Sequence, residues 1–437
     1  MVAWNASSVQ PLHARKQSRS SSRATPSARA AADRLPPVVA RGEVMSIQSG
    51  VDQAAREELL KRAAALAPAL RQRAQATEDA SQVSQETMQD IIDAELVRIG
   101  TPIKFGGLDV DVATTYEVAM EFSRSCPSTG WVYVLQALHA YWMGFWSMEA
   151  QEEVFADGPD MLSASVQLGV KSEWRKVPGG YRVSGHGKFA SGCDHSQWMF
   201  VVAPGQEGIR QFILPRSDYT IDAGSWDVSG LRGTGSKDVL IEDAFVPEHR
   251  GKIPRPPVDF ERDPDLERAY GYHRQRRYLA PMSTLQDLTC VAIGGAQGAA
   301  EELIARTRGT SGSVKSADST MVQTQIAEAT VEVAAARSML LEDMEVAQRI
   351  GEAGDYPSIE HLTAHLRNRG YGCKLSVQAV NRIFDLGGAR SLSTKDPLQR
   401  LHRDVHAATH GPLGNFNIAS QPYARAVLGL DPLGLRL

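Results

Sequence analysis

The chain has little cysteine and no surplus of either charge. Its four cysteines, Cys126, Cys193, Cys290 and Cys373, stand far apart in 437 residues, with no C-x-x-C pair. That excludes a disulfide scaffold and a paired-cysteine metal or redox motif, and it suits a reducing compartment such as the cytoplasm. Lys+Arg 47 against Asp+Glu 51 leave a net charge of −4, so nothing electrostatic calls for nucleic acid or an acidic membrane as partner. Neither a Walker loop nor a G-x-S-x-G elbow occurs, and no internal repeat. The glycines of Gly230-Leu-Arg-Gly-Thr-Gly235 lie among strand patterns rather than between a strand and a helix, so no nicotinamide-binding domain is evident. The longest uncharged run, Ser125 to Met148, is interrupted by Pro127, Gln136 and His139. It reads as a buried core helix rather than a membrane span.

What is present is two helical blocks around a β unit. Residues 1–44 carry seven Lys+Arg against Asp33 and Glu43, a composition that cannot build a core. They read as a disordered extension or an over-long start ahead of Met45, with a superficial likeness to a transit peptide. From Val51, apolar residues recur at helical spacing: Ala55, Leu59, Leu60, Ala63 and Leu66, then Ile91, Ile92, Leu96 and Ile99. A further helix is expected near Ala113 and the long apolar one from Thr129 to Trp146.

Between Ser163 and Arg250 short alternating runs separated by Gly-Gly, Ser-Gly and Gly-Thr-Gly predict strands. These cover Ser163 to Gln167, Tyr181 to Phe189, Trp198 to Ala203, Gln211 to Pro215 and Lys237 to Val246. A charged, proline-broken connector, Arg255 to Glu267, follows. Helices are then expected over Leu279 to Thr307, Thr320 to Gly351, Ile359 to Leu386 and Leu398 to Thr409, joined in part by a mobile Gly309 to Ser319 piece and suited to an antiparallel bundle. The fold class expected is α+β, mostly α, with an N-terminal helical domain (45–157), a central small β-barrel with its connector (158–262) and a C-terminal bundle (263–437).

Several side chains invite chemistry. His402, His406 and His410 fall at i, i+4 and i+8 on one helix face, a spacing open to metal. No nearby Cys or carboxylate completes the set, so no metal is expected. His361 and His365 share the spacing without the glutamate of H-E-x-x-H. Ser191, Cys193 and His195 crowd one turn, where side chains so close in sequence seldom align as nucleophile and base. His139 stands alone on an apolar helix, where a histidine is commonly a satisfied core residue.

The order helical block, β unit, bundle, with FASGCDHSQW (Phe189 to Trp198) and GLRGTGSKDVLIEDAFVPEHR in the β unit and LQRLHRDVHAATH near the end, resembles the acyl-CoA dehydrogenase fold. More narrowly it is similar to the flavin-dependent monooxygenases on that fold, the oxygenase components of two-component hydroxylases such as p-hydroxyphenylacetate 3-hydroxylase. The likeness spans Met45 to Pro432. A dehydrogenase needs a carboxylate base, and Arg403-Asp404 is followed by VHAATHGPLGNF, which holds no acid. An acyl-CoA dehydrogenase-like flavoprotein with a displaced base, an N- or S-oxygenating relative and a non-catalytic scaffold stand as alternatives.

The resemblance implies reduced flavin (FMNH2 or FADH2) supplied by a separate NAD(P)H:flavin reductase, O2 as co-substrate, a flavin C4a-hydroperoxide and a small aromatic, phenolic substrate. It implies a homotetramer. By resemblance Ser191 supplies the hydroxyl beside flavin N5, with Gly192 next to it, and Phe189 and Trp131 occupy aromatic positions near the ring. Arg276 matches a cationic position near the flavin, with Arg274 and Arg277 as competitors. His139 and Ser165 match residues facing the phenol. The family's second substrate-side histidine aligns on Gly411, one place after His410, so that role transfers only with a local backbone shift.

Overall fold

The computed structural model describes residues 53–432, apart from 109, 206, 254–286, 310–316, 354 and 356. The expectations for residues 1–44, for the 255–267 connector and for Arg274, Arg276 and Arg277 lie outside the described residues, as does most of the 309–319 connection.

The N-terminal block holds α1 (Gln53–Asp79), α2 (Gln85–Asp93), α3 (Val112–Ser125), α4 (Pro127–Met143) and α5 (Met148–Val154). Local chemistry sets their starts. Ser84, Asp111 and Ser147 accept hydrogen bonds from N–H groups in the first turns of α2, α3 and α5. Pro127 opens α4, where its missing N–H is no loss. Every residue of α4 except Trp142 is buried, as expected of a helix apolar on all sides.

The C-terminal block holds α6 (Asp287–Gly309), α7 (Thr320–Ala353), α8 (Ile359–Gly387), α9 (Pro397–Thr409), α10 (Phe416–Ala419) and α11 (Gln421–Val427). One apolar core runs through both blocks, including Leu59, Tyr116, Phe122, Tyr133, Val291 and Val405. No helix among the described residues is long and apolar enough to cross a membrane.

Among the described residues eight strands lie between the blocks: β1 (Ser163–Leu168), β2 (Glu173–Val177), β3 (Gly180–Ala190), β4 (Trp198–Gly205), β5 (Gly208–Pro215), β6 (Thr220–Asp222), β7 (Lys237–Pro247) and β8 (Gly251–Lys252). Their order is β6-β7-β3-β1-β4-β5-β8, with β2 also on β3. The sheet is mixed, since β1 and β4 are parallel while the other ladders are antiparallel. The expected closed barrel is not what forms: β6 and β8 end the path, and among the described residues no ladder joins them. Closure needs strands long enough to pair around the circuit, and the two end strands span three and two residues.

Alternation buries one face of each long strand, as with Val239, Ile241, Ala244 and Val246 on β7. A smaller apolar cluster, including Ala140, Met143, Trp146, Phe200 and Ile213, fastens the end of α4 to β4 and β5. That junction fixes where α4 meets the sheet.

Candidate active site

Val132, Gln136 and His139 fall at i, i+4 and i+7 of α4 and so share a face. Two pieces of the β unit press against it. The first is the start of β1: Gln136 Oε1 accepts from Ser163 N at 2.5 Å, and His139 Nδ1 lies 3.0 Å from Ser163 O. The second is the turn after β3. There β3 slips register against β7 between Gly187 and Ala190, Phe189 takes a φ of +68° and Gly192 one of +69°. Left-handed backbone at Phe189 is strained, and such strain gathers at ligand sites. At Gly192 glycine is required twice over. Its φ is left-handed, and a Cβ there would come 3.1 Å from Val132 Cγ1 and 3.3 Å from Gln136 Nε2.

Ser191 sits between these glycine and aromatic positions. Its Oγ accepts from Trp131 Nε1 at 3.0 Å and lies 2.7 Å from Ser236 Oγ. Ser236 Oγ lies 2.7 Å from Thr234 Oγ1, which donates to Leu231 O at 2.8 Å. All four side chains are buried. The two loops are also tied by Gly192 N donating to Thr234 O at 2.9 Å and by Lys237 Nζ on both Asp194 oxygens at 2.6 and 2.7 Å. Cys193 and His195 serve the same loops. The Cys193 thiol contacts Gly235 O, and burial pushes its pKa up to about 12; His195 Nε2 donates to Val83 O at 2.9 Å. None of Ser191, Cys193 and His195 hydrogen-bonds another, so the turn holds no nucleophile and base pair.

His139 is fully buried beside Trp142 and Phe200, at ring distances of 5.1 and 5.2 Å. Burial lowers its pKa to about 3, although the Ser163 carbonyl pulls the other way. The ring is therefore neutral. A carbonyl can only accept, so Nδ1 carries the proton and Nε2 presents a lone pair. Nε2 has no partner among the described residues, nor have the nearby Trp142 Nε1, Gln136 Nε2 and Ser163 Oγ. Buried polar atoms are nearly always paired. A group of unpaired acceptors and donors beside the rings of Trp142 and Phe200 is what a polar ring-bearing ligand would satisfy. Ser165 joins this group through the sheet: it shares the Ser163 face of β1, and its register partner on β4 is Phe200.

Residues 47–158 match the family described as "Acyl-CoA dehydrogenase, N-terminal domain", and residues 288–411 match "Acyl-CoA dehydrogenase, C-terminal domain". The "Flavin-dependent monooxygenase, oxygenase subunit HsaA" of Rhodococcus jostii is 30% identical over 86% of this chain and 98% of its own. The chain belongs to the flavin-dependent monooxygenases of the acyl-CoA dehydrogenase fold. The "p-hydroxyphenylacetate 3-hydroxylase, oxygenase component" of Acinetobacter baumannii is 26% identical over 86% of this chain and 90% of its own. Among solved structures, XiaF from Streptomyces sp. in complex with FADH2 and glycerol superposes with a TM-score of 0.79 at 25% identity, covering 88% of this chain and 98% of that one.

Within this flavin-dependent monooxygenase the structure brings Trp131, Ser191, Gly192, His139 and Ser165 to one junction of α4, β1 and the turn after β3. Phe189 lies at the same turn, 61% exposed as a residue, with its ring 6.1 Å from that of Trp226. His410 is not brought there. It caps α9, is exposed, and its Nδ1 meets the His406 carbonyl at 3.3 Å. The helix does end at Gly411, whose Cβ position lies 3.6 Å from Leu288 Cδ1. His402 and His406 both direct Nε2 at Asn381 Oδ1, at 3.0 and 2.8 Å.

Gln136, Trp142, Thr234 and Ser236 were not among the residues expected at the site. Gln136 was visible as the one amide in an apolar helix, and the hydroxyls as the Thr and Ser of G-T-G-S.

Arg403 and Asp404, the pair near which a dehydrogenase base would be sought, instead brace the glycine loop. Arg403 donates to Ser229 O, and Asp404 Oδ1 accepts from Leu231 N at 2.6 Å. Burial pushes the Asp404 pKa up to about 7 from 3.8, against the pull of the Leu231 N–H and of Arg400 and Arg403. The folded protein thus holds a proton that the unfolded chain releases between about pH 4 and 7, so stability falls as pH rises through that window. Asp404→Asn keeps the acceptor for Leu231 without the charge. Its melting temperature is expected to gain on wild type from pH 4.5 to pH 8; a difference that does not vary with pH would contradict this.

Proposed function

We propose that the protein is the oxygenase component of a two-component hydroxylase, which takes reduced flavin from a separate NAD(P)H-dependent reductase and inserts one atom of O2 into a small phenolic ring. The observation that carries the phenol is the unpaired Nε2 of a buried, neutral His139. The flavin chemistry rests on family membership and on the buried contact of Trp131 with Ser191 at the turn after β3. Assembly as a homotetramer belongs to this reading. Ile418, Val427, Leu428 and Leu430 are exposed apolar side chains on and after α10 and α11 that such an assembly would cover.

Reduced flavin, when bound, supplies two electrons and activates O2. The protein's part is to bind, orient and exclude water. Gly192 lets the turn that carries Ser191 close on Val132 and Gln136 of α4. Trp131, held by Ser191, walls the site. Phe200, Trp142 and Trp146 form an aromatic lining near His139 that keeps water from the reacting atoms. Nε2 accepts the phenol O–H, which raises electron density at the ortho carbon. One oxygen atom goes to the ring and the other leaves as water, with one reduced flavin oxidised per turnover.

Photochemically reduced flavin is expected to replace the reductase fully, whereas NAD(P)H with oxidised flavin and no reductase gives no product. Turnover from NADH alone would contradict the two-component reading. Anaerobic bleaching of bound oxidised flavin by an acyl-CoA would favour dehydrogenase chemistry instead.

A further inference from the structure

The hydroxyls behind Ser191 form a chain in which one proton order satisfies every contact, including that with the Leu231 carbonyl. Thr234 Oγ1 is 2.8 Å from Leu231 O, and a carbonyl cannot donate, so the single Thr234 proton points there. Ser236 must then be the donor across the 2.7 Å contact with Thr234. Its own proton is thereby committed, which makes Ser191 the donor across the 2.7 Å contact with Ser236. Ser191 also accepts from the indole of Trp131, a donor-only group. Its oxygen is left with one lone pair and no proton to offer. Thr234, Ser236 and Ser191 are 2%, 4% and 7% exposed, so the order is set by the chain rather than by solvent.

We infer that Ser236 and Thr234 are positioning residues that select the redox state of the cofactor by holding Ser191 as a pure hydrogen-bond acceptor. The inference rests on the proposed seat of the flavin N5 edge at Ser191. Reduced flavin carries a hydrogen on N5 and oxidised flavin a lone pair. The first completes the set of bonds at Ser191 Oγ. The second meets lone pair with lone pair, unless all three hydroxyls reverse. Reversal turns the Thr234 proton from Leu231 O to Ser236 and leaves that carbonyl without it. Oxidised flavin therefore binds at the cost of one buried hydrogen bond, about tenfold in affinity. The chain begins beside the Asp404 contact at Leu231 N, so α9 anchors the loop that sets this order.

The test is the ratio of dissociation constants for oxidised and reduced flavin, measured anaerobically by fluorescence titration, with the midpoint potential of the bound flavin as a second readout. Ser236→Ala frees the Ser191 proton to turn to the oxidised ring. The ratio is expected to fall about tenfold, with the potential about 30 mV lower for the two-electron couple. Thr234→Val is expected to act in the same direction, and Ser236→Thr and Thr234→Ser to restore wild-type values. A variant that merely loosened the loop would weaken both states alike. An unchanged ratio in Ser236→Ala, or an equal loss in both states, overturns the inference. If Ser236→Ala leaves the ratio unchanged while Ser191→Ala shifts it, the seat of the flavin stands and the relay falls. If Ser191→Ala leaves both affinities unchanged, the seat itself is wrong and the inference goes with it.

Discussion

Replacing His139 with alanine is expected to lower phenol hydroxylation by about 10²-fold, the scale on which a positioned acid or base acts. Hydrogen peroxide release should rise in proportion, because reducing equivalents are still delivered while the ring is no longer activated. Reduced-flavin affinity is the control, since the flavin is assigned to Ser191 and Trp131 rather than to His139. The pH dependence separates this role from a charged one. With its pKa lowered to about 3 by burial, the imidazole is neutral throughout the working range, so no inflection near pH 6.5 in the hydroxylation profile belongs to it. An inflection that vanishes in His139→Ala would contradict the neutral-acceptor role. The same shift has a sign for stability. The contribution of neutral His139 is fully present above its unfolded value of 6.5 and is lost as pH falls toward 3.

Gly298→Ala is expected to cost about 3 kcal/mol or more of folding stability, the upper end for overpacking a rigid contact. On α6, a Cβ at Gly298 would come 2.1 Å from Arg124 O, and one at Gly294 would come 2.3 Å from Met120 O, both on the backbone of α3. Backbone cannot step aside as a flexible side chain can. Gly295, on another face, would meet Val405 Cγ2 of α9 at 2.8 Å. The Gly-Gly-Ala-Gln-Gly run thus lets α6 approach two helices at once, and α9 carries the Asp404 that braces the 229–236 loop. Chemical denaturation of Gly298→Ala checks the magnitude. Gly411→Ala is the contrast: its φ is −67° and its Cβ site is clear to 3.6 Å, so a change within about 0.5 kcal/mol is expected.

Period-two alternation with flanking glycines made β1, β3, β4, β5 and β7 legible, and the observed spans differ from those expected by a few residues. β2, β6 and β8 were not legible. In Glu173–Val177 only Trp174 is fully buried, and two or three residues carry no period. Barrel closure could not be read because it depends on pairing between strands distant in sequence. The site divides in the same way. Ser191, Gly192, Trp131, His139 and Ser165 came from motifs and resemblance. On residue chemistry alone His139 passed for a core histidine, and half of it is one: Nδ1 is satisfied and only Nε2 is not. Thr234 and Ser236 stayed hidden because Gly233 and Gly235 make the segment read as a turn, and hydroxyl order is a property of three-dimensional neighbours. His410 carried the resemblance one residue off, and the end of α9 leaves it exposed.

Oxygen transfer to an aromatic ring is the central reaction of the proposed function. The direct measurement is mass spectrometry of products after the protein, charged anaerobically with FMNH2 or FADH2 and a panel of phenols, amines and sulfides, is mixed with 18O2. The account predicts a phenol product 16 mass units heavier by normal oxygen and about 18 by the label, with one labelled atom per molecule and the other in water. Labelled hydrogen peroxide as the sole oxygen product, with every phenol recovered unchanged from protein shown to bind reduced flavin, would contradict it.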